Sequence, residues 1–243
     1  EKYAAADKRL ILLDYDGTLV EFQEDPDNCA PDQKLQSLLS SLGEDDRNKV
    51  VVISGRPKET LEKWLAHLPL DLVAEHGMWS KFRGEDWERN GRELGSDWRA
   101  EAMEIMNFYV DRTPGSFIEE KSYSLAWHYR RVEKGLGEVR KSELTSHLKH
   151  MMAEKGFHVL DGDHVVELKP DSTNKGRAAK EIYNELVPEF CLCIGDDTTD
   201  EYMFEALPKE AFTVKVGNGS SHARFGLEAV PNVRRLLERI TQL

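Results

Sequence analysis

Four short apolar runs, each ending in a polar cluster, constrain the fold more than any other feature of the chain. Leu10 to Leu13, Val50 to Ile53, Leu72 to Ala74 and Phe190 to Ile194 are too short for helices and show no polar alternation. Such runs predict strands covered on both faces, as in a parallel sheet. Helical patterns lie between them. Asp32 to Leu42 carries Leu35, Leu38, Leu39 and Leu42 on one stripe. Pro57 to Leu68 begins with a proline, suited to a first helical turn where its missing N–H costs nothing. Thr173 to Leu186 and Asp200 to Ala206 complete the set. The alternation predicts an α/β fold, a Rossmann-like parallel sheet with helices on both faces.

Residues 81–168 have a different texture. Asp97 to Arg112 and Ser142 to Gly156 are helical, the second closing at a glycine C-cap. Ser116 to Arg130 contains an alternating stretch, and His158 to Leu160 with His164 to Leu168 predict a hairpin around Asp-Gly-Asp. Helix followed by paired strands, twice over, predicts an inserted α+β cap, with residues 1–80 and 169–243 forming the catalytic core. Trp79, Trp87 and Trp98 are expected to pack the cap rather than stack on a ligand.

Charge and cysteine usage narrow the function. Thirty-three basic against 45 acidic residues give a net charge of −12. That balance argues against nucleic acid as a partner, though a local pocket can still take an anion. No apolar run approaches the ~20 residues of a membrane span. No secretory signal opens the chain, and the start at Glu-Lys-Tyr predicts a domain cut from something longer. Cys191 and Cys193 flank Leu192 in an apolar run and read as buried small side chains rather than a redox or metal pair. Three cysteines without a disulfide pattern predict a reducing, cytoplasmic setting.

In an open α/β sheet, ligands bind beyond the carboxyl ends of the strands. Here those ends carry Asp14-Tyr15-Asp16-Gly17-Thr18, Ser54-Gly55-Arg56, Glu75-His76-Gly77 and Gly195-Asp196-Asp197-Thr198-Thr199-Asp200. Aspartates gathered on one edge repel one another unless a cation sits among them, and hard oxygen donors in that number favour Mg²⁺. A carboxylate beside such a cation can attack an electrophile, and a second can carry protons. Ser54, Arg56 and Lys175 supply a hydroxyl and positive charge for a phosphoryl group, with Lys175 at a helix start. Neither acidic cluster has the twelve-residue rhythm of an EF-hand. The set predicts metal-assisted phosphoryl transfer.

DYDGT, ISGR, NKG and GDDTTDE, in that order, resemble the four signature motifs of the haloacid-dehalogenase superfamily of phosphatases. More narrowly, AEHG at 74–77, IEEKSYSLAWHYR at 118–130, VVELKP at 165–170 and the final GDD-x-TDE form are similar to the trehalose-6-phosphate phosphatases. The resemblance implies that Asp14 is the nucleophile and Asp16 the acid and base. It implies Mg²⁺ held by Asp14, the Asp16 carbonyl and Asp196, with Asp197 and Asp200 in support. Ser54, Lys175 and Arg56 would hold the phosphoryl group, and a closing cap would bring Glu119, Lys121, Arg130 and Glu167 to the sugar. His76 is a possible ligand contact or a structural histidine in a tight turn. From the residues alone, Glu119 and Lys121 fit a surface ion pair as readily as a sugar site. The implied reaction is hydrolysis of trehalose 6-phosphate. Its rivals are a related phosphatase for sucrose phosphate or mannosyl-3-phosphoglycerate, a phosphomutase, and a regulatory domain fused to or associated with a trehalose-phosphate synthase.

Overall fold

The computed structural model describes residues 1–23, 26–90, 97–120, 124–152, 155–162, 164–170 and 174–243. Two compact units result: Glu1–Asn90 with Asn174–Leu243, and Gly91–Thr173.

In the first unit a four-residue helix α1 (Lys2–Ala5) precedes β1 (Arg9–Leu13). There follow α2 (Gln33–Glu44), β2 (Asn48–Ile53), α3 (Lys58–Leu65), β3 (Asp71–Ala74), β4 (Trp79–Lys81) and β5 (Glu88–Arg89). The second unit comprises α4 (Asp97–Val110), β6 (Phe117–Glu120), β7 (Leu125–His128), α5 (Lys134–Met152), β8 (Phe157–Gly162) and β9 (Val165–Pro170). The chain then returns through α6 (Lys175–Leu186), β10 (Phe190–Gly195), α7 (Thr198–Ala206), β11 (Phe212–Val216), β12 (Phe225–Leu227) and α8 (Val230–Ile240).

The core sheet runs β12-β11-β10-β1-β2-β3-β4-β5. Its first six strands are parallel, and β4 and β5 attach antiparallel. Burial on both faces explains the unbroken apolar runs. In β1, Ile11 and Leu13 join a cluster with Leu35, Leu61 and Val233, placing α2, α3 and α8 on that side. Leu10 and Leu12 face the opposite way and pack with Ala178, Ala179 and Met203 of α6 and α7. The parallel sheet with helices on both faces is therefore as expected.

Local details differ from the sequence reading. Pro57 is the N-cap of α3, not part of its first turn: its ψ is 146°, and its carbonyl accepts from Thr60 and Leu61 at 3.0 and 3.2 Å. Helix α5 starts at Lys134 rather than Ser142, because packing carries it through Gly135 and Gly137, residues that argue against a helix in isolation. Residues 81–90 stay with the core, since β4 pairs with β3 and β5 with β4. The unit junctions accordingly lie at 90/91 and 173/174 rather than 80/81 and 168/169. Trp79 and Trp87 pack against the core cluster, whereas Trp98 belongs to the inserted unit's core. Strands β11 and β12 and helix α8 lie beyond the elements expected from the sequence.

In the inserted unit, a sheet of order β6-β7-β9-β8 is antiparallel throughout. One face carries Leu125, Trp127, Val166 and Leu168, which pack with Ala102, Met106, Leu144 and Leu148 of α4 and α5. On the other face Glu119, Ala126 and Glu167 stand in one cross-strand row, so both carboxylates point the same way.

Candidate active site

The carboxyl ends of β10, β1, β2 and β3, adjacent in the sheet, bring the polar clusters together. After β1 the backbone turns sharply: Leu19 and Val20 donate to the Tyr15 carbonyl, and Gly17 donates to that of Val20. Gly17 sits at φ +82°, and a Cβ there would lie 2.2 Å from Asp196 Oδ2. Only glycine fits both the backbone and the space. Thr18 Oγ1 donates to Asp196 Oδ1 at 3.2 Å, which fixes Asp196 against this turn.

Helices α6 and α7 supply the rest. Asn174 caps α6, accepting from Gly176 and Arg177, and so fixes the start from which Lys175 projects. Gly176 passes so close to α7 that a Cβ would fall 2.1 Å from the Tyr202 carbonyl oxygen. This approach brings Lys175, 2% exposed, between two carboxylates. Its Nζ donates to Asp14 Oδ1 at 2.6 Å and to Asp200 Oδ1 at 2.8 Å. Asp200 uses its second oxygen to accept from the backbone N–H groups of Asp196 and Asp197, at 2.8 and 3.1 Å. Asp197 caps α7 through Thr199 and Asp200 in a capping box.

Asp14, Asp196 and Asp200 each offer an oxygen within 4.8 Å of the others. Burial drives the Asp14 pKa above the carboxylate range although Lys175 pulls it down. Burial, then the Asp14 charge, raises Asp200. Asp196 is pushed up to about 6 by burial and by Asp200. Burial alone would lower Lys175, but Asp14 and Asp200 outweigh it and keep the ammonium charged. Asp14 Oδ2 is buried and has no hydrogen-bond partner among the described residues. An orphaned carboxylate oxygen in an all-oxygen, proton-hungry triad fits a small divalent cation.

The expected site residues separate into groups. Asp14, Ser54, Lys175, Asp196 and Asp200 are brought to the edge of the sheet where the strands' carboxyl ends lie, with their side chains buried or half-buried. The side chains of Asp16 and Asp197 do not join the carboxylate triad. Asp16 takes a bidentate pair from Arg56, at 2.8 Å from Nε and 2.6 Å from Nη2, and Asp197 Oδ1 is spent on the cap of α7. His76 lies in the turn after β3, with its ring against Gly55. In the inserted unit Glu119 bonds His128 Nε2 at 2.8 Å, and Glu167 accepts from Ser124 Oγ at 2.5 Å. Arg130 is exposed just beyond β7. Lys121 lies outside the described residues. Two contributors escaped the sequence reading. One is Thr18. The other is Lys215 of β11, which donates to the Asp196 carbonyl and stands 3.8 Å from Glu201; a lysine interrupting the apolar FTVKV run was its signal.

This sheet, with its carboxylates at the β1 and β10 ends, defines the class: the fold is that of haloacid-dehalogenase-like hydrolases. One from Bacteroides thetaiotaomicron superposes with a TM-score of 0.67 at 14% identity, over 96% of this chain and 99% of that one. The chain belongs to the trehalose-phosphatase family, whose profile it matches over residues 12–230. It is 42% identical to a bifunctional trehalose-6-phosphate synthase/phosphatase of Thermoproteus tenax over 98% of this chain and 32% of that protein. A structure of Aspergillus fumigatus trehalose-6-phosphate phosphatase matches with a TM-score of 0.84 and 36% identity, covering 99% of this chain and 95% of that one. The chain spans about a third of the length of the curated relatives it matches. Among the described residues, no helix is long and apolar enough to cross a membrane.

Proposed function

We propose that this chain is a Mg²⁺-dependent phosphatase that hydrolyses trehalose 6-phosphate to trehalose and phosphate. The observation that carries the reading is Asp14 itself: one oxygen is held by buried Lys175, and the other is buried without a partner among the described residues. That pairing orients a carboxylate for attack while its charge is balanced. Asp14, Asp196 and the Asp16 carbonyl would hold Mg²⁺, with Asp200 setting Asp196 and Lys175 in place. When bound, the ion neutralises charge on the phosphoryl oxygens.

The chain's own residues do the rest. Ser54, Arg56 and Lys175 bind the phosphoryl oxygens and fix the phosphorus in line with Asp14. Asp14 forms a bond to phosphorus as the bond to the sugar oxygen breaks. Asp16, released from Arg56 and taking up a proton from water as substrate binds, protonates the departing trehalose. The same carboxylate then removes a proton from water, which attacks the aspartyl-phosphate and releases phosphate. Glu119 and Glu167, on one face of the inserted sheet, with Lys121 and Arg130, are assigned to the sugar hydroxyls. The relatives' names support a chain fused to, or associated with, a trehalose-phosphate synthase. Three free, buried cysteines suit a cytoplasmic setting.

The test is phosphate release from trehalose 6-phosphate, sucrose 6-phosphate and mannosyl-3-phosphoglycerate, with Mg²⁺ and with chelator. Preference for the first substrate, dependence on Mg²⁺ and loss of turnover in Asp14→Asn are expected. Efficient cleavage of another substrate with none of trehalose 6-phosphate would overturn the substrate assignment. Turnover in Asp14→Asn would overturn the covalent route.

A further inference from the structure

Three consecutive residues after β3, two of them not glycine, lie in the left-handed region: Glu75 at φ 50°, His76 at 56° and Gly77 at 108°. Backbone of this kind persists only where its surroundings hold it, and it gathers at functional sites. The surroundings here are specific. Glu75 N–H donates to the Arg56 carbonyl at 3.1 Å and His76 N–H to the Ser54 carbonyl at 2.9 Å. The turn therefore grips the Ser54-Gly55-Arg56 loop on both sides of Gly55. The imidazole lies over Gly55 itself, where a Cβ would come within 2.6 Å of Cε1 and Nε2. On the other side, a Cβ on Gly77 would lie 3.1 Å from the carbonyl oxygen of Asn174, the residue that caps the helix beginning at Lys175. Ser54, Arg56 and Lys175 thus converge on one turn from two separate parts of the chain.

We infer that His76 is a positioning residue rather than a substrate contact: its left-handed backbone and its ring lock the Ser54–Arg56 loop to the start of the Lys175 helix. The inference rests on the phosphatase reading for its kinetic consequence. The ring fills the space left by the missing Cβ of Gly55, and the backbone at φ 56° aims the His76 N–H at Ser54. Preset in this way, the hydroxyl, the guanidinium and the ammonium meet a phosphoryl group without rearranging. A β-branched residue resists this conformation, whereas asparagine adopts it readily.

The test compares His76→Val, His76→Asn and Gly55→Ala with the unsubstituted chain on two substrates, trehalose 6-phosphate and p-nitrophenyl phosphate, which has no sugar. His76→Val is expected to lower kcat on both by about thirtyfold, with KM changed by less than about twofold. His76→Asn is expected to restore kcat to within about fivefold, and Gly55→Ala, whose Cβ displaces the ring, to behave like His76→Val. Amide hydrogen exchange at residues 54–56 should rise strongly in His76→Val and Gly55→Ala and only slightly in His76→Asn, which keeps the backbone but loses the ring. A loss confined to KM for trehalose 6-phosphate, with p-nitrophenyl phosphate unaffected, would make His76 a substrate contact and overturn the inference. So would unchanged exchange in His76→Val. If the unsubstituted chain released phosphate from neither substrate, the phosphatase reading would fail, while the exchange measurement would still decide the role of His76.

Discussion

Lys175→Met removes the buried cation between Asp14 and Asp200 while keeping an unbranched side chain of similar reach. The carboxylates left behind are 5% and 0% exposed, so neither can turn to water. Stripping one partner from a buried ion pair costs about 3–5 kcal/mol. The fold can escape only by keeping protons on the two acids. At pH 8, holding a proton on a carboxyl of ordinary pKa 3.8 costs roughly 5.7 kcal/mol, at 1.36 kcal/mol per pH unit, and at pH 5 about 1.6 kcal/mol. The unsubstituted protein already bears part of that cost, because its Asp14 and Asp200 are raised even with Lys175 in place. The added loss at pH 8 should therefore be about 3–5 kcal/mol, a fall in melting temperature of roughly 6–20 °C for a chain of this size. At pH 5 the acids protonate readily and the loss should shrink to about a third of that. Thermal and urea unfolding in chelator, for both proteins at both pH values, measure the difference. A loss below about 1 kcal/mol at pH 8, or equal losses at the two pH values, would refute the reasoning.

The triad makes further predictions. Folded Asp14, Asp196 and Asp200 have raised pKa values, so between about pH 4 and about pH 8 they hold protons that the unfolded chain has released, and metal-free stability falls as pH rises across that window. On the proposed reading Mg²⁺ would bind the deprotonated triad, so its stabilising shift in melting temperature should be larger at pH 8 than at pH 5; a shift independent of pH would exclude these carboxyls as ligands. Gly17→Ala forces a side chain into φ +82° and onto Asp196, costing about 1–2 kcal/mol of backbone strain. It should also weaken Mg²⁺ binding by about tenfold in calorimetry, whereas undiminished affinity would show that Asp196 does not need this turn.

What the sequence made legible follows from how local each signal is. Strands β1, β2, β3 and β10 could be read because burial on both faces leaves an apolar run with no alternation. Their carboxyl ends could be read because Asp14, Ser54 and Asp196 each follow such a run directly. Helix α8 had the necessary stripe, Val230, Val233, Leu237 and Ile240, all buried, with Pro231 at its start. Strand β12 is only three residues long and includes Gly226, too little pattern to read. The Asp16–Arg56 pair spans 40 residues and the Lys175–Asp14 pair 161, distances over which no periodicity speaks. Histidine's modest preference for left-handed backbone is too weak to foretell His76, since the Ser54 carbonyl and Gly55 that hold it come from elsewhere in the chain.

The Gly77 turn also marks where the chain departs from the core and where it returns. Asn90, the last core residue before the insertion, donates from Nδ2 to the Gly77 carbonyl at 3.0 Å, and Asn174, the first after it, has its carbonyl beside Gly77. Exit and re-entry thus share one anchor, and the eight-stranded sheet closes without help from anything between them. Insertions whose ends lie side by side can be exchanged, lengthened or excised with little strain on the host. A core of this kind is an interchangeable chassis, on which a different inserted unit can be grafted through a single doorway.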